Sequence, residues 1–390
     1  MEKIISDFYK NDDIKIITPN DGYHYFFAYY DMRATGESGK HLVHRVKFWD
    51  RLPTAEDVAE IGYLDEGKFI KIAETTAWNF QQGAMLQYHP FLEDVVYYNV
   101  CEKGEFKTVT HNFKTGDKKY TDMATACVSP DGKWGLSVNF GRIYAFRPGY
   151  GYAAFKDENA EVNHPENDGI YLTNMESGKS KFLISYKDLA PISNFKENQK
   201  ILVNHITFNT TSNKFVALVR NFPTPGVTWS TSMVIGDLKG NCHAVIKNSY
   251  VSHYHWINGD EILVHCTPND SNRMSMFRID VNSGKWLDYD MDYFNEDHHP
   301  DIHCNISPDQ NYIIGDGYPI NGYRHLVAYS LKTGKSRTLL KVKTAEEIAH
   351  GDFRCDLHAR FILGGKAISF DTTCNNKREV ALLPITALNF

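Results

Sequence analysis

Short runs of β-branched and aromatic residues alternate along the chain with clusters of Gly, Asn, Asp and Ser, the pattern of an all-β protein. Only Ala55–Ile61 and Thr344–Ala349 read as helix. One turn, a small or polar residue followed by Gly, recurs at Glu66-Gly67, Thr115-Gly116, Ser177-Gly178, Lys239-Gly240, Ser283-Gly284 and Thr333-Gly334. Asn375-Asn376 reads as its seventh copy. The spacing, roughly 40–60 residues, is that of a four-stranded propeller blade. A second turn runs out of phase with the first: Glu37-Ser38-Gly39-Lys40, Ser129-Pro130-Asp131-Gly132-Lys133, Thr211-Ser212-Asn213-Lys214, Asn258-Gly259-Asp260, Ser307-Pro308-Asp309 and Gly364-Gly365-Lys366. Two turns per repeat describe an up-and-down blade, with Gly and Asn supplying the positive φ that tight hairpins require. The expected fold is a seven-bladed β-propeller of four-stranded antiparallel blades. No linker or composition break divides it, so residues 1–390 are expected to form one domain. A pair of two-sheet sandwiches leaves the seven turns unexplained.

In a propeller the strand before the second turn is the innermost one, so residues opening it gather at one end of the axis. That register collects Tyr29, Tyr30 and Asp31, then Trp78, Asn79 and Gln82, then Asp122 and Thr125, and finally His205, His253, His255, His303 and His358. Four histidines at one phase are the main lead to function. Neutral imidazole is the commonest transition-metal ligand, and separate strands can bring several to one ion. Asp356 shares a strand face with His358, being two residues away. His298 and His299 lie just upstream of His303 on an expected loop. The alternative is that each histidine hydrogen-bonds within its own blade. Arg220, Arg147, Arg354 and Arg360 are candidates for holding a carboxylate, since a guanidinium fork matches one bidentately; surface ion pairs are the alternative. Trp78, Tyr29, Tyr30, Tyr150, Tyr152 and Trp256 offer flat faces for sugar rings or for packing between blades.

Composition narrows the classes. With 42% hydrophobic and 13% aromatic residues the chain can bury a proper core. A net charge of −6 gives no basic footprint for nucleic acid. No apolar run approaches the roughly 18 residues of a membrane helix. Asp7 and Lys10 interrupt any signal-peptide core early, and seven scattered cysteines lack CxxC spacing, so a reducing cytoplasm is the expected setting. Neither GxSxG nor a Walker A loop is present. The Gly149-Tyr150-Gly151-Tyr152 run has no βαβ context for nucleotide binding, and no carboxylate pair stands out as a glycosidase acid and nucleophile.

Several blocks together resemble the oligogalacturonate-lyase-like seven-bladed propellers, in particular a branch associated with bacterial surface-polysaccharide gene sets. They are Phe26-Phe27-Ala28-Tyr29-Tyr30-Asp31, Thr76-Ala77-Trp78-Asn79-Phe80-Gln81-Gln82-Gly83, Arg147-Pro148-Gly149-Tyr150-Gly151-Tyr152, Asp168-Gly169-Ile170-Tyr171, Val251-Ser252-His253-Tyr254 and Arg354-Cys355-Asp356-Leu357-His358. The resemblance runs over most of the chain and implies a divalent metal, typically manganese, held by histidines, with cleavage of a uronate glycan by β-elimination. Carried over by motif, His303 and His358 match metal ligands, His253 the base and Arg220 the arginine that assists the charged intermediate. Where the family has a further histidine ligand this chain has Asp356, itself a competent ligand for Mn²⁺ or Mg²⁺. Where the family has a glutamine ligand it has Phe353. His205, Tyr30, Trp78, Asn79, Gln82, Arg147, Arg354 and Arg360 are expected to face the substrate, an acidic oligosaccharide or polysaccharide. Two other functions fit the same fold: a glycan-binding or assembly protein without turnover, and a protein-interaction platform.

Overall fold

The computed structural model describes residues 14–268, 274–288 and 301–388, and its strands form seven four-stranded antiparallel sheets. The chain is an all-β, seven-bladed propeller, as its turns predict. His298 and His299 lie outside the described residues. From blade 1 to blade 7 the innermost strands are His24–Phe26, Gln87–Tyr88, Thr125–Val128, Ile201–Phe208, Val251–Trp256, His303–Ile306 and Arg360–Ile362. The next strand out is covered on both faces by neighbouring blades. This is why Phe215-Val216-Ala217-Leu218-Val219 is an unbroken, fully buried apolar run and not an alternating one.

All six copies of the second turn join a first strand to a second. Ser129 and Ser307 close theirs by donating to Asp131 and Asp309, both at 2.6 Å. Blade 2 turns differently: His89 Nδ1 accepts from the Phe91 and Leu92 amides at 3.1 and 3.2 Å, so an imidazole replaces the serine and aspartate. The first turn joins third to fourth strands in six blades, but Asn375-Asn376 joins the second to the third. The seventh blade has no turn of that kind, because its outermost strand is Lys15–Ile16 from the other end of the chain. This strand pairs with Glu379–Pro384 in the register Lys15 to Leu382 and Ile16 to Ala381.

The expected helix at Ala55–Ile61 is not formed. Asp57 accepts from the Thr54 amide and hydroxyl at 2.7 and 2.9 Å and from Arg51 at 2.6 and 2.8 Å, closing a turn. The strand Ala59–Asp65 then begins, with Ala59 and Ile61 inward and Glu60 outward on Arg45. Thr344–Ala349 shortens to a single 3₁₀ turn, Glu346–Ile348. Among the described residues the α-helices are α1, Phe140–Phe146, and α2, Tyr186–Ile192. Both start on side-chain caps: Asn139 accepts from the Arg142 amide, and Ser185 accepts from the Asp188 amide while donating to its carboxylate.

Two irregular segments build the end of the axis where the site lies. The first, Phe27–Asp31, leaves blade 1 and crosses the channel. Asp371 accepts from the Phe27 and Ala28 amides, the Ala28 carbonyl accepts from Arg360 and His358, and the Tyr30 carbonyl accepts from Asn305. Ala28 sits at a φ of 116°, a strained conformation for a residue with a Cβ, fixed by these bonds from both sides. The second follows α1 and brings Arg147 and Tyr150 over the axis. Its glycines are there for close packing: a Cβ on Gly149 would lie 2.2 Å from the Asp352 carbonyl oxygen, and one on Gly151 the same distance from the Tyr144 amide nitrogen.

Candidate metal and anion site on the axis

The four histidines converge, His205, His253 and His303 from innermost strands and His358 from the irregular segment just ahead of one. His253 and His303 have ring centroids 4.0 Å apart, and His303 and His358 are 4.5 Å apart. Tyr29 stacks on His205 at 5.1 Å and meets His358 at 4.9 Å, so the crossing segment closes the circle. Blade 3 contributes less than expected, because Asp122 is at the surface with Lys179 and Thr125 hydrogen-bonds Thr108. His255 lines a separate cavity of about 170 Å³, with Asp31 and Trp256, further along the axis.

His303 and His358 are set up as ligands. His303 Nδ1 lies 3.2 Å from the Asp316 carbonyl oxygen and His358 Nδ1 lies 2.9 Å from that of Ala28. A proton on each Nδ1 satisfies those carbonyls and leaves the Nε2 lone pairs free, the arrangement that backs metal-binding imidazoles. Among the described residues neither Nε2 atom, both buried, has a hydrogen-bond partner; Asp356 Oδ2, which Arg354 Nη2 reaches at 2.8 Å without an aligned hydrogen bond, lies 4.0 Å from one and 3.9 Å from the other. The three ligand atoms lie within 4.8 Å of one another. Two imidazole nitrogens and a carboxylate oxygen suit a divalent first-row cation. Phe353, at the position of the family's glutamine, supplies no donor; its side chain packs beside Cys355 and its carbonyl accepts from Arg378.

The charges around these ligands are unusual. Burial disfavours a proton on both imidazoles, yet Asp316 and Asp356 outweigh it at His303 and raise its affinity for a proton. At His358 burial and the neighbouring His303 prevail, and the ring stays neutral. Asp356 stays ionised because Arg324 and Arg354 beside it overcome its burial. Among the described residues Arg220 has no such partner. It is 1% exposed, its one hydrogen bond there is 3.4 Å long to the Val251 carbonyl, and Nε has none. Burial, and then the neighbouring Arg147, push it down to about 10. A buried guanidinium without a carboxylate is costly to hold and attracts an anion. Trp229, on the exposed loop beside it, covers Arg220 at 4.7 Å.

His253 has a partner that the sequence reading missed. Its Nδ1 lies 2.8 Å from Asp301 Oδ1, with His265 Nδ1 3.7 Å from the same oxygen. Burial lowers His253 to about 4 although Asp301 opposes the shift, so the ring is neutral, and a proton on Nδ1, beside Asp301, would leave Nε2 free. The signal was present: Asp301-Ile302-His303 repeats Asp356-Leu357-His358, the same i, i+2 pairing one blade earlier.

The remaining expected residues divide into two groups. Gln82 Nε2 is 3.3 Å from His205 Nδ1, and Arg354 donates to Tyr150 and Asp356. Arg147 pairs with Asp352 and covers the Tyr150 ring, and Tyr30 lies 5.8 Å from the His303 ring. Asn79 acts one step back: its Oδ1 accepts from the Gln81 and Gln82 amides, presenting Gln81 to the Arg354 carbonyl and Gln82 to His205. Two others are occupied inside the protein. Trp78 packs among Phe26, Phe48 and Phe80 and donates to the Asp57 carbonyl at 2.7 Å, so its face is closed to a sugar. Arg360 is held by Asp371 at 2.6 Å, Ser369 at 2.9 Å and the Ala28 carbonyl at 3.0 Å, and its donors anchor the crossing segment.

Solved structures share this architecture. The chain is similar in fold to oligogalacturonate lyase. A structure of that enzyme in complex with manganese aligns at a TM-score of 0.67 and 13% identity, over 96% of this chain and 94% of the other. The oligogalacturonate lyase from Vibrio parahaemolyticus aligns at 0.65 and 12%, over 95% and 93%. The tricorn protease also aligns, at 0.53 and 11% over 97% of this chain but 34% of its own length. At these identities the likeness is one of fold. No family model and no curated protein sequence matches the chain.

Proposed function

We propose that the protein cleaves a uronate-containing glycan by metal-assisted β-elimination at this axial site. The observation that carries the proposal is the convergence of three buried ligand atoms, His303 Nε2 and His358 Nε2, which have no hydrogen-bond partner among the described residues, and Asp356 Oδ2, which carries only the off-axis contact of Arg354. A divalent cation, of which Mn²⁺ is the first to test, would draw electron density from the uronate carboxylate and acidify the neighbouring C5–H. Arg220, unpaired and buried, balances the negative charge that develops when that proton leaves. His253 Nε2 takes the proton, while Asp301 holds the opposite edge of the ring. The C5–H electrons form the C4–C5 double bond, and the C4–O bond breaks with its electron pair onto the leaving sugar's oxygen, which takes a proton from water. Tyr30, His205 with Gln82, and Arg147 and Arg354 with Tyr150 line the approach.

The product is an unsaturated uronate that absorbs in the ultraviolet. Replacing His253 with Ala is expected to lower its formation by about 100-fold or more, with the circular dichroism spectrum unchanged. Equal rates in the two proteins overturn the assignment. A second reading, a glycan-binding or assembly protein without turnover, draws support from Arg354, which already covers the metal-facing oxygen of Asp356. It predicts saturable binding of an acidic oligosaccharide with unchanged product masses. A cytoplasmic setting accompanies either reading. All seven cysteines are free, and no helix among the described residues is long and apolar enough to cross a membrane.

A further inference from the structure

Asp356 has two oxygens and two guanidiniums beside it. Arg324 Nη2 lies 2.7 Å from Oδ1, while Arg354 donates to Oδ1 through Nε at 3.1 Å and reaches Oδ2 with Nη2 at 2.8 Å. Oδ2 is the oxygen that faces His303 and His358. A single side chain, Arg354, therefore stands on the atom that a cation would bind.

The two arginines are held differently. Arg324 rises from the strand Tyr323–Ser330 and donates to the Gly317 carbonyl at 2.7 Å. Arg354 comes from the irregular segment 354–359, and its other contacts are the Gly351 carbonyl at 3.2 Å, the Tyr150 hydroxyl at 3.1 Å and the face of Tyr318 at 5.2 Å. Its contact with Oδ2 is short but off-axis, and so is that of Arg324 Nη2 with Oδ1; the aligned hydrogen bond to the carboxylate is the one from Arg354 Nε to Oδ1. A divalent ion placed beside both guanidiniums would face two positive charges across one carboxylate. With Arg354 withdrawn, Asp356 keeps Arg324 on Oδ1 and offers Oδ2.

We infer that Arg354 is an exchangeable counter-ion. It neutralises Asp356 when no divalent cation is bound, and a cation that binds displaces it toward Tyr150 and Arg147, where it receives the carboxylate of an acidic ligand. The inference rests on the metal site proposed above. Metal and ligand then favour each other's binding, because each is helped by moving the same guanidinium, and the coupling is reciprocal.

The test is Mn²⁺ titrated into metal-free protein, followed by calorimetry and by the paramagnetic resonance of free Mn²⁺, for wild type, Arg354→Gln and Arg354→Lys. Arg354→Gln is expected to bind Mn²⁺ about tenfold more tightly than wild type. Arg354→Lys, whose point charge cannot fork across two oxygens, falls between them. Added galacturonate tightens Mn²⁺ binding in wild type and leaves Arg354→Gln unchanged. Equal or weaker Mn²⁺ binding by folded Arg354→Gln overturns the exchange and leaves the metal site standing. No effect of galacturonate on wild type overturns the receptor role. If none of the three proteins binds Mn²⁺, the inference and the metal reading fall together. Should Arg354→Gln not fold, Arg354→Lys, which keeps the charge, decides the matter: tighter than wild type supports the exchange, unchanged overturns it.

Discussion

His303 stands between His253 and His358, its ring centroid 4.0 and 4.5 Å from theirs, and the three are held differently by their neighbours, a division that gives the site its chemistry. His303 faces Asp316 and Asp356, His358 has a backbone carbonyl on Nδ1, and His253 has Asp301. Asp301→Asn keeps the shape of that last contact and removes its charge, so His253 loses its hold on the productive tautomer. The rate of unsaturated-product formation is expected to fall by about 100-fold or more, while Mn²⁺ affinity stays within a few fold of wild type. Comparable loss of both would instead make Asp301 a structural support of the whole ring. His205, His253 and His303 were legible in the sequence because strand phase fixes which side chains face the axis, and His358, although it lies just before its strand, falls at the same place relative to its turn. Arg324 and Asp316 were not, because they come from the third and second strands of blade 6 and reach the site past the innermost strand. Trp78 was misplaced because a tryptophan in a distinctive block reads alike whether it stacks on a sugar or fills the space between blades.

Two elements show why the site is rigid. The segment Phe27–Asp31 owes its place to Asp371, which accepts from two of its amides and pairs with Arg360, and Arg360 in turn shares the Ala28 carbonyl with His358. Asp371→Ala leaves two amides unpaired and takes the carboxylate from the buried Arg360, and is expected to cost about 3–5 kcal/mol in urea unfolding. It should also weaken Mn²⁺ binding, since His358 loses its backing. At Gly83 the backbone is left-handed, φ 59°, and a Cβ would stand 2.3 Å from His44 Cε1. Gly83→Ala is expected to destabilise by about 2 kcal/mol or more, and a shift in the unfolding midpoint below 0.5 kcal/mol would contradict that packing. The blades were readable in advance because their turns carry local signals. The two helices went unread because their signals are single caps on seven-residue elements, too short for a 3.6-residue period to emerge. The false helix at Ala55–Ile61 had helix-forming composition, which blade pairing overrode.

At the scale of the molecule, the buried histidines tie stability to pH. Burial lowers His41 to about 3 and His44 to about 4, and His44 Nε2 accepts from the Ala84 amide at 3.0 Å, a bond that a proton there would break. In the unfolded chain both titrate near 6.5. Below that value the unfolded state binds protons that the folded state refuses, so their contribution is complete above about pH 6.5 and declines as the pH falls toward 4. Urea midpoints are expected to drop steadily from pH 7 to pH 5, and replacing His44 with Gln, an uncharged acceptor, should flatten part of that slope. A midpoint independent of pH over this range would contradict neutral burial of these rings. The propeller's closure, finally, has a consequence for how the chain is made. Lys15–Ile16 leaves the ribosome long before Glu379–Pro384, the strand it must pair with. Until then the nascent ring is an open arc whose two end blades each expose a face that a neighbouring blade would cover, and once Glu379–Pro384 is made its free edge is a template for pairing with another copy until Lys15–Ile16 docks. The yield of soluble protein should therefore depend on chaperones present during synthesis more than on the stability of the finished ring.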